Sequence, residues 1–272
     1  LRAAGNNWTI GTNWNLNNLR IIGTGTNVLI PGSSSVITNV LVTNNGTATG
    51  RAAIGGGNIN IYLTDVEAIS YRGNALSIPS GGAYTVDGVY LHDSDVGISI
   101  AATTTVNFIN NALVTSCVTA AIRTTAATTG NLYISNSTLH GSTNTTGIGV
   151  SLNTGTTNLR VKNTIINGFA TGISHADTQF VWYGNYNDFF NNDANFSGTG
   201  TVTGPNDITT NPTFTSVGQL TGTTATTSGS VLTQSGGDFS TVVDGRDFLY
   251  LVSGAGVTAG QYGITAHTAT TV

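Results

Sequence analysis

The chain has 272 residues, of which only 7% are charged and 39% hydrophobic, with a formal charge of −4 and no cluster of Lys and Arg, which excludes a charge-driven disordered chain and a nucleic-acid binder. One cysteine, Cys117, leaves no disulfide framework to build, and no apolar run approaches the length of a membrane-spanning helix. The 36 glycines, the many Thr and Asn residues and the single Glu, Glu67, argue against long helices and for strands joined by tight turns.

Residues 1–18 read as an entry or capping coil, in which Trp8 and Trp14 are available to cover the open end of a core. From residue 19 a phrase recurs: apolar, any, apolar, any, Asn or Asp. Leu19-Arg20-Ile21-Ile22-Gly23 and Val40-Leu41-Val42-Thr43-Asn44 open the series with small departures. It continues as Ile61-Tyr62-Leu63-Thr64-Asp65, Val89-Tyr90-Leu91-His92-Asp93, Val106-Asn107-Phe108-Ile109-Asn110, Leu132-Tyr133-Ile134-Ser135-Asn136 and Leu159-Arg160-Val161-Lys162-Asn163. A second element, Gly or Ala before an aliphatic residue, places Ile54, Leu76, Ile98, Ile122, Ile148 and Ile173 at steps of 22, 22, 24, 26 and 25 residues. Repeats of that period stack as solenoid coils.

The aromatic-dense segment 181–192 is predicted to be the last full coil. Gly204-Pro205-Asn206-Asp207-Ile208 and Asn211-Pro212-Thr213-Phe214 read as an irregular terminating strand pair. Beyond 215 the character changes, and Asp247-Phe248-Leu249-Tyr250-Leu251-Val252 and Gly260-Gln261-Tyr262-Gly263-Ile264 read as strands of a small β module. Three regions follow: 1–18, 19–214 and 215–272. With no Met and a start in mid-flow at Leu1, the sequence reads as a processed product or an excised part of a larger protein.

The two-residue alternation is that of a strand with one buried face. A single such strand cannot bury that face alone, whereas the same strand stacked from successive coils builds a parallel sheet over a continuous core, so the predicted fold class is all-β, a parallel β-solenoid. The closing Asn or Asp belongs at a turn, where it tolerates left-handed backbone. Asn44, Asn110, Asn136 and Asn163 are therefore expected to form an internal amide ladder, with Asp65 and Asp93 as variants.

On these repeats, residues 19–214 resemble the right-handed parallel β-helix class, which includes pectate-lyase-like enzymes, bacterial surface proteins and phage tailspikes. The resemblance implies a right-handed helix of roughly 7–8 coils. The stretch from Tyr186 through Ala194-Asn195-Phe196 to Ile208 and Pro212-Thr213-Phe214 resembles the ending of many bacterial extracellular members. The tail, Asp244-Gly245-Arg246-Asp247-Phe248 through Gly260-Gln261-Tyr262, is similar to short β modules of phage virion proteins.

Polysaccharide-cleaving members of that class carry chemistry on an outer face, as paired carboxylates or as a basic residue beside calcium-binding acids. Here Asp65 and Asp93 align in neighbouring copies of the phrase, and Glu67 and Asp95 align two positions later, with His92 and Arg72 nearby. Stacked like charges repel, which raises one carboxyl pKa or invites a cation. The competing reading makes Asp65 and Asp93 turn residues and Glu67 and Asp95 solvated side chains. No catalytic residue, cofactor or metal is assigned, and Asp65, Glu67, Asp93 and Asp95 stand as the candidates of the alternative enzymatic reading. His140, His175 and His267 have polar or turn-like neighbours, and Cys117 reads as a small buried residue.

Tyr62, Tyr90 and Tyr133 share one outward position in the phrase, with Asn107 between the last two, so they are expected to line one exterior face. Tyrosine rings pack on the C–H faces of sugars and are common at interfaces, and they also stack on solvated sheets without any ligand. Thr-x-Thr rows of an ice-binding face do not recur at this position. The expected function is that of a non-catalytic extracellular structural and interaction protein, a spike, fibre or decoration component of a phage or virus-like particle. Expected partners are neighbouring subunits of a homo-oligomer and cell-surface polysaccharide. A polysaccharide depolymerase and a bacterial surface adhesin are the alternatives.

Overall fold

The computed structural model describes residues 2–3, 7–46, 49–56, 60–81, 83–101, 107–125, 131–141, 147–153, 158–176, 181–198, 204–211, 226–228, 231–233, 248–251, 260–263 and 268. It is all-β, with no helix among these residues, and 21 strands join in one parallel sheet that winds into a β-solenoid of about seven turns. The chain divides into two units, Leu1–Pro212 and Thr213–Val272.

Each coil of the first unit has three faces. Face A is built from 15–17, 36–38, 61–64, Tyr84–Asp87, Asn107–Asn110, Asn131–Ser135, Asn158–Lys162 and Val181–Asn185. Face B follows at 19–23, 40–44, 66–70, 90–92, 113–115, Thr138–His140, Ile165–Asn167 and Asp188–Phe190. Face C closes the coil at Asn27–Ile30, Arg51–Gly55, Gly73–Ile78, 96–100, 120–124, Ile148–Leu152, Thr171–His175 and Ala194–Ser197. Pairing starts before residue 19: Arg2–Ala3 lies against Ile22 and Gly23, and Trp8–Thr9 against Leu29 and Ile30. At the other end Ile208 forms a parallel bridge with Asp188.

Three inward columns form the core. Face A supplies Leu16, Ile37, Leu63, Val86, Ile109, Ile134 and Val161, and face B supplies Ile21, Val42, Ala68, Leu91, Val114, Leu139, Ile166 and Phe189. Face C supplies Leu29, Ile54, Leu76, Ile98, Ile122, Val150 and Ile173, all with 0% exposure. Each buried Leu or Ile contributes about 1.5–3 kcal/mol, and stacking like on like gives every coil the same lining. Val150, not the expected Ile148, continues the face C column. Its coil carries the longer insertion, and Ile148 pairs with Ala120, two residues earlier in the ladder.

After the first coil, where Val28 precedes Leu29, the residue before each face C aliphatic is Ala or Gly, because there is little room there. A Cβ on Gly149 would stand 2.4 Å from the Gly172 carbonyl oxygen and 2.7 Å from Ile166 Cγ2. The turn from face A to face B repeats one left-handed residue per coil: Asn18, Asn39, Asp65, Gly88, Asn111, Asn136, Asn163 and Tyr186 all have positive φ. Asn and Asp tolerate that region through local hydrogen bonds, which explains their recurrence.

This turn corrects the ladder expected from the sequence. Asn136 and Asn163 belong to it, but Asn111 takes the position expected for Asn110, which lies one residue earlier as the last residue of its face A strand. Asn44 ends a face B strand instead and is buried, donating to the carbonyls of Gly25 and Ala52 and accepting from Gly46 N–H. The ladder is external, since Asn136 and Asn163 are exposed. The phrase read from the sequence mixes two faces: its copies at 61, 132 and 159 are face A, whereas those at 19, 40 and 89 are face B.

In the second unit Thr226–Ser228 pairs antiparallel with Val231–Thr233, and Phe248–Leu251 with Gly260–Gly263. Val106, Pro212-Thr213-Phe214, Asp244 to Asp247 and His267 lie outside the described residues.

Candidate functional site

Face A positions side chains by simple alternation. Its outward column runs Val36, Tyr62, Thr85, Phe108, Tyr133, Arg160 and Tyr183, one residue per coil. Adjacent strands in a sheet lie about 4.8 Å apart, so flat side chains in one column can stack face to face. They do so over the last four coils. The Phe108 and Tyr133 rings stack with centroids 4.9 Å apart and planes 13° from parallel. The Arg160 guanidinium lies 5.2 Å from the centre of the Tyr133 ring and 4.8 Å from that of Tyr183. Such contacts contribute about 0.5–1 kcal/mol each at exposed sites, which biases the guanidinium towards this place in the column. Thr85 interrupts the column, leaving Tyr62 apart from the stack.

The second outward column of face A is polar. It reads Asp87, Asn110, Ser135, Lys162 and Asn185. Asn110 donates to Asp87 Oδ1 (2.9 Å) and accepts from Ser135 Oγ (3.0 Å) and Asn136 Nδ2 (2.8 Å). At the adjoining turn Asn163 donates to Asn136 Oδ1 (3.1 Å), and Asn39 donates to Asn18. The surface is thus a strip of rings and one guanidinium beside a column of amides, a hydroxyl, one ammonium and, at one end, the Asp87 carboxylate.

Face B carries a different group. Pairing sets Glu67 beside Tyr90, and His92 projects outward two residues after Tyr90. His92 Nε2 is 3.0 Å from Glu67 Oε1 and Nδ1 is 2.9 Å from Asp93 Oδ2, so one imidazole ties two successive coils. Its side chain is 13% exposed, against 41% for Glu67 and 51% for Asp93. The Tyr90 ring stacks on it at 4.0 Å. Burial pulls the His92 pKa down, but hydrogen bonds to Glu67 and then Asp93, with their negative charge, outweigh it and leave the pKa above the usual histidine value. Burial raises the Tyr90 phenol, offset in part by a hydrogen bond to Thr115.

The structure separates several residues that the sequence grouped. Asp65 sits at the A–B turn, whereas Asp93 sits at the next turn, after face B, so the two do not stack. Asp95 follows Asp93 within an irregularity of register between Ser94 and Val96, and it is not aligned with Glu67. Glu67 and Asp93 are nevertheless joined, through His92. Arg72 is exposed in the turn after face B. Tyr62 and Tyr133 share the face A column, but Tyr90 is on face B. Asn107 points inward and is 2% exposed, accepting the Tyr84 N–H at 3.1 Å, while Phe108 takes the outward position.

Phe108 and Tyr183 are the members of the strip that the repeated phrase did not bring into the column, whereas Arg160 holds the same place in its phrase as Tyr62 and Tyr133. The signal was the paired Asn110-Asn111: with Asn111 as the turn residue, Phe108 falls into line with Tyr133 and Arg160. Among the described residues no group of three His, Cys, Asp or Glu side chains is arranged to hold a metal ion. Comparison of the chain with family models, with curated proteins and with solved structures returns no match.

Proposed function

We propose that this solenoid is a non-catalytic display and binding protein that presents the face A strip to a polysaccharide. The observation that carries the reading is the continuous stack of Phe108, Tyr133, Arg160 and Tyr183 over four coils. Large rings stacked in a column on a solvated surface offer their edges, and the outer faces at the two ends of the stack, to the C–H groups of sugars, and the neighbouring amide and hydroxyl column offers hydrogen bonds. A rigid backbone in which nearly every strand is paired on both sides supplies preorganisation, which lowers the entropy cost of binding. The setting we propose is extracellular, as a spike, fibre or decoration component of a phage or virus-like particle assembled from several copies. The resemblance of the tail to virion modules supports that setting, and a bacterial surface adhesin is its alternative.

A second reading rests on the Glu67–His92–Asp93 group, where, among the described residues, ionisable side chains converge on face B. A polysaccharide depolymerase needs a free general acid or base beside the substrate. Both ring nitrogens of His92 are already engaged by carboxylates, which favours a structural clamp over a proton shuttle. The pure protein incubated with neutral and acidic bacterial polysaccharides, followed for new reducing ends and for unsaturated-uronate absorbance, tests the choice. Retention of polymer without product supports display; product formation abolished by Glu67→Gln or His92→Gln places chemistry on face B.

A further inference from the structure

The charge within the face A strip identifies the kind of polysaccharide. Arg160 and Lys162 project outward from the same strand, Asn158–Lys162, in adjacent outward columns, and both are exposed. The chain has eight Lys and Arg residues in all and a net charge of −4, so two cations on one strand form a local exception. No carboxylate among the described residues lies within ion-pair distance of either. The acid that shares their face, Asp87, stands three coils away and is occupied by Asn110 and Asn111.

The geometry of Arg160 adds direction to that charge. Arg160 stands between two rings in its column, its guanidinium carbon 5.2 Å from the centre of Tyr133 and 4.8 Å from that of Tyr183. Arg160 is exposed, and its N–H donors lie in one plane that a carboxylate fits with two parallel hydrogen bonds. Stacking removes most of the side chain's rotational freedom before any ligand arrives, so the ordering cost of such a contact is met in advance. Lys162 is placed to neutralise a second acid group on the same chain of sugars, and the outward edges of Phe108, Tyr133 and Tyr183 are placed to meet the sugars along the strip.

We infer that face A is a site for an acidic polysaccharide whose carboxylates are received by the edge of Arg160 and by Lys162. This inference rests on the display reading above and goes further by naming the charge and the residues that select it. Carboxylate recognition by a fork differs from attraction to a point charge, so Arg160→Lys is as informative as removal of the charge.

The test is retention of the full chain on immobilised alginate, with carboxyl-reduced alginate, neutral dextran and polyglutamate as the other arms, in low and in moderate salt. The expected result is binding to alginate that weakens with salt, falls about tenfold or more in Arg160→Gln and Arg160→Lys and several-fold in Lys162→Gln, and is absent for polyglutamate and for carboxyl-reduced alginate. Arg72→Gln, which removes one cation from an exposed turn outside face A, is expected to bind as the parent does and controls for the loss of a positive charge as such. Equal binding to native and carboxyl-reduced alginate would overturn the acidic specificity while leaving glycan display standing. Binding to polyglutamate as strong as to alginate would overturn it in favour of an acidic protein partner. No retention on any polysaccharide would overturn both readings together.

Discussion

His92 Nε2 lies 3.0 Å from Glu67 Oε1 across the gap between two successive coils, while its other ring nitrogen meets Asp93 within its own coil. The contact is a hydrogen-bonded ion pair when the ring is protonated, and it acts perpendicular to the strands, in the direction in which a solenoid would come apart.

A pH dependence follows from this pair. The folded-state pKa of His92 is raised above its ordinary value, so its stabilisation is complete below the unfolded pKa and is lost as the pH rises through the folded one. Because Glu67 and Asp93 are about half exposed, solvent screening limits the effect to roughly 0.5–1 kcal/mol. Thermal unfolding followed from below the usual histidine range to mildly alkaline pH should show a small decline in the parent that His92→Gln flattens. A decline of the same size in the variant would assign the effect to other groups.

Asp188 sets a second dependence with the same sign. It is 7% exposed and its Oδ1 has no hydrogen-bond partner, so burial raises its pKa above the usual carboxylate value. Its charge therefore weakens the folded state at neutral pH, and that cost disappears as the pH falls through the raised value. Asp188→Asn, which removes the charge at constant shape, is expected to raise the melting temperature at pH 7 and to leave it unchanged in acid. A lower melting temperature at pH 7 would show that the carboxylate is needed.

Tyr186 holds the left-handed turn position that Asn, Asp or Gly fills in the other coils, with φ of 57°. A bulky residue there is strained, and Tyr186→Asn is expected to stabilise the protein by about 1 kcal/mol, read as a rise in chemical-denaturation midpoint. The same substitution leaves the face A stack in place, so retention on polysaccharide should not change.

The solenoid was legible because its cause is local. Alternation of apolar residues, and a left-handed Asn or Asp at the A–B turn of six of the eight coils, are written along the chain, and the stacking of Leu63 on Ile37 or of Ile98 on Leu76 needs nothing more. Register was less legible. Val89-Tyr90-Leu91-His92-Asp93 has the same pattern as a face A strand because faces A and B both end in a tight turn, and the true face A strand of that coil, Tyr84–Asp87, turns on Gly88 in place of Asn. One residue of slip at Asn110-Asn111 reverses the direction of every side chain in the strand, which is why Asn107 was placed outside and Phe108 overlooked. The contact of His92 with both Glu67 and Asp93 depends on which face each acid occupies, so no alignment of the phrase alone could have drawn it.

The most direct test of the account compares retention of the intact protein on acidic polysaccharide between a face A variant, Tyr133→Ala, and a face B variant, Tyr90→Ala, with product release followed in the same samples. Loss of retention in Tyr133→Ala, full retention in Tyr90→Ala and no release of sugar from either is the result predicted for a rigid display surface on face A. Retention unaffected by Tyr133→Ala, together with sugar release that disappears in Tyr90→Ala, would contradict it and move the function to the Glu67–His92–Asp93 group.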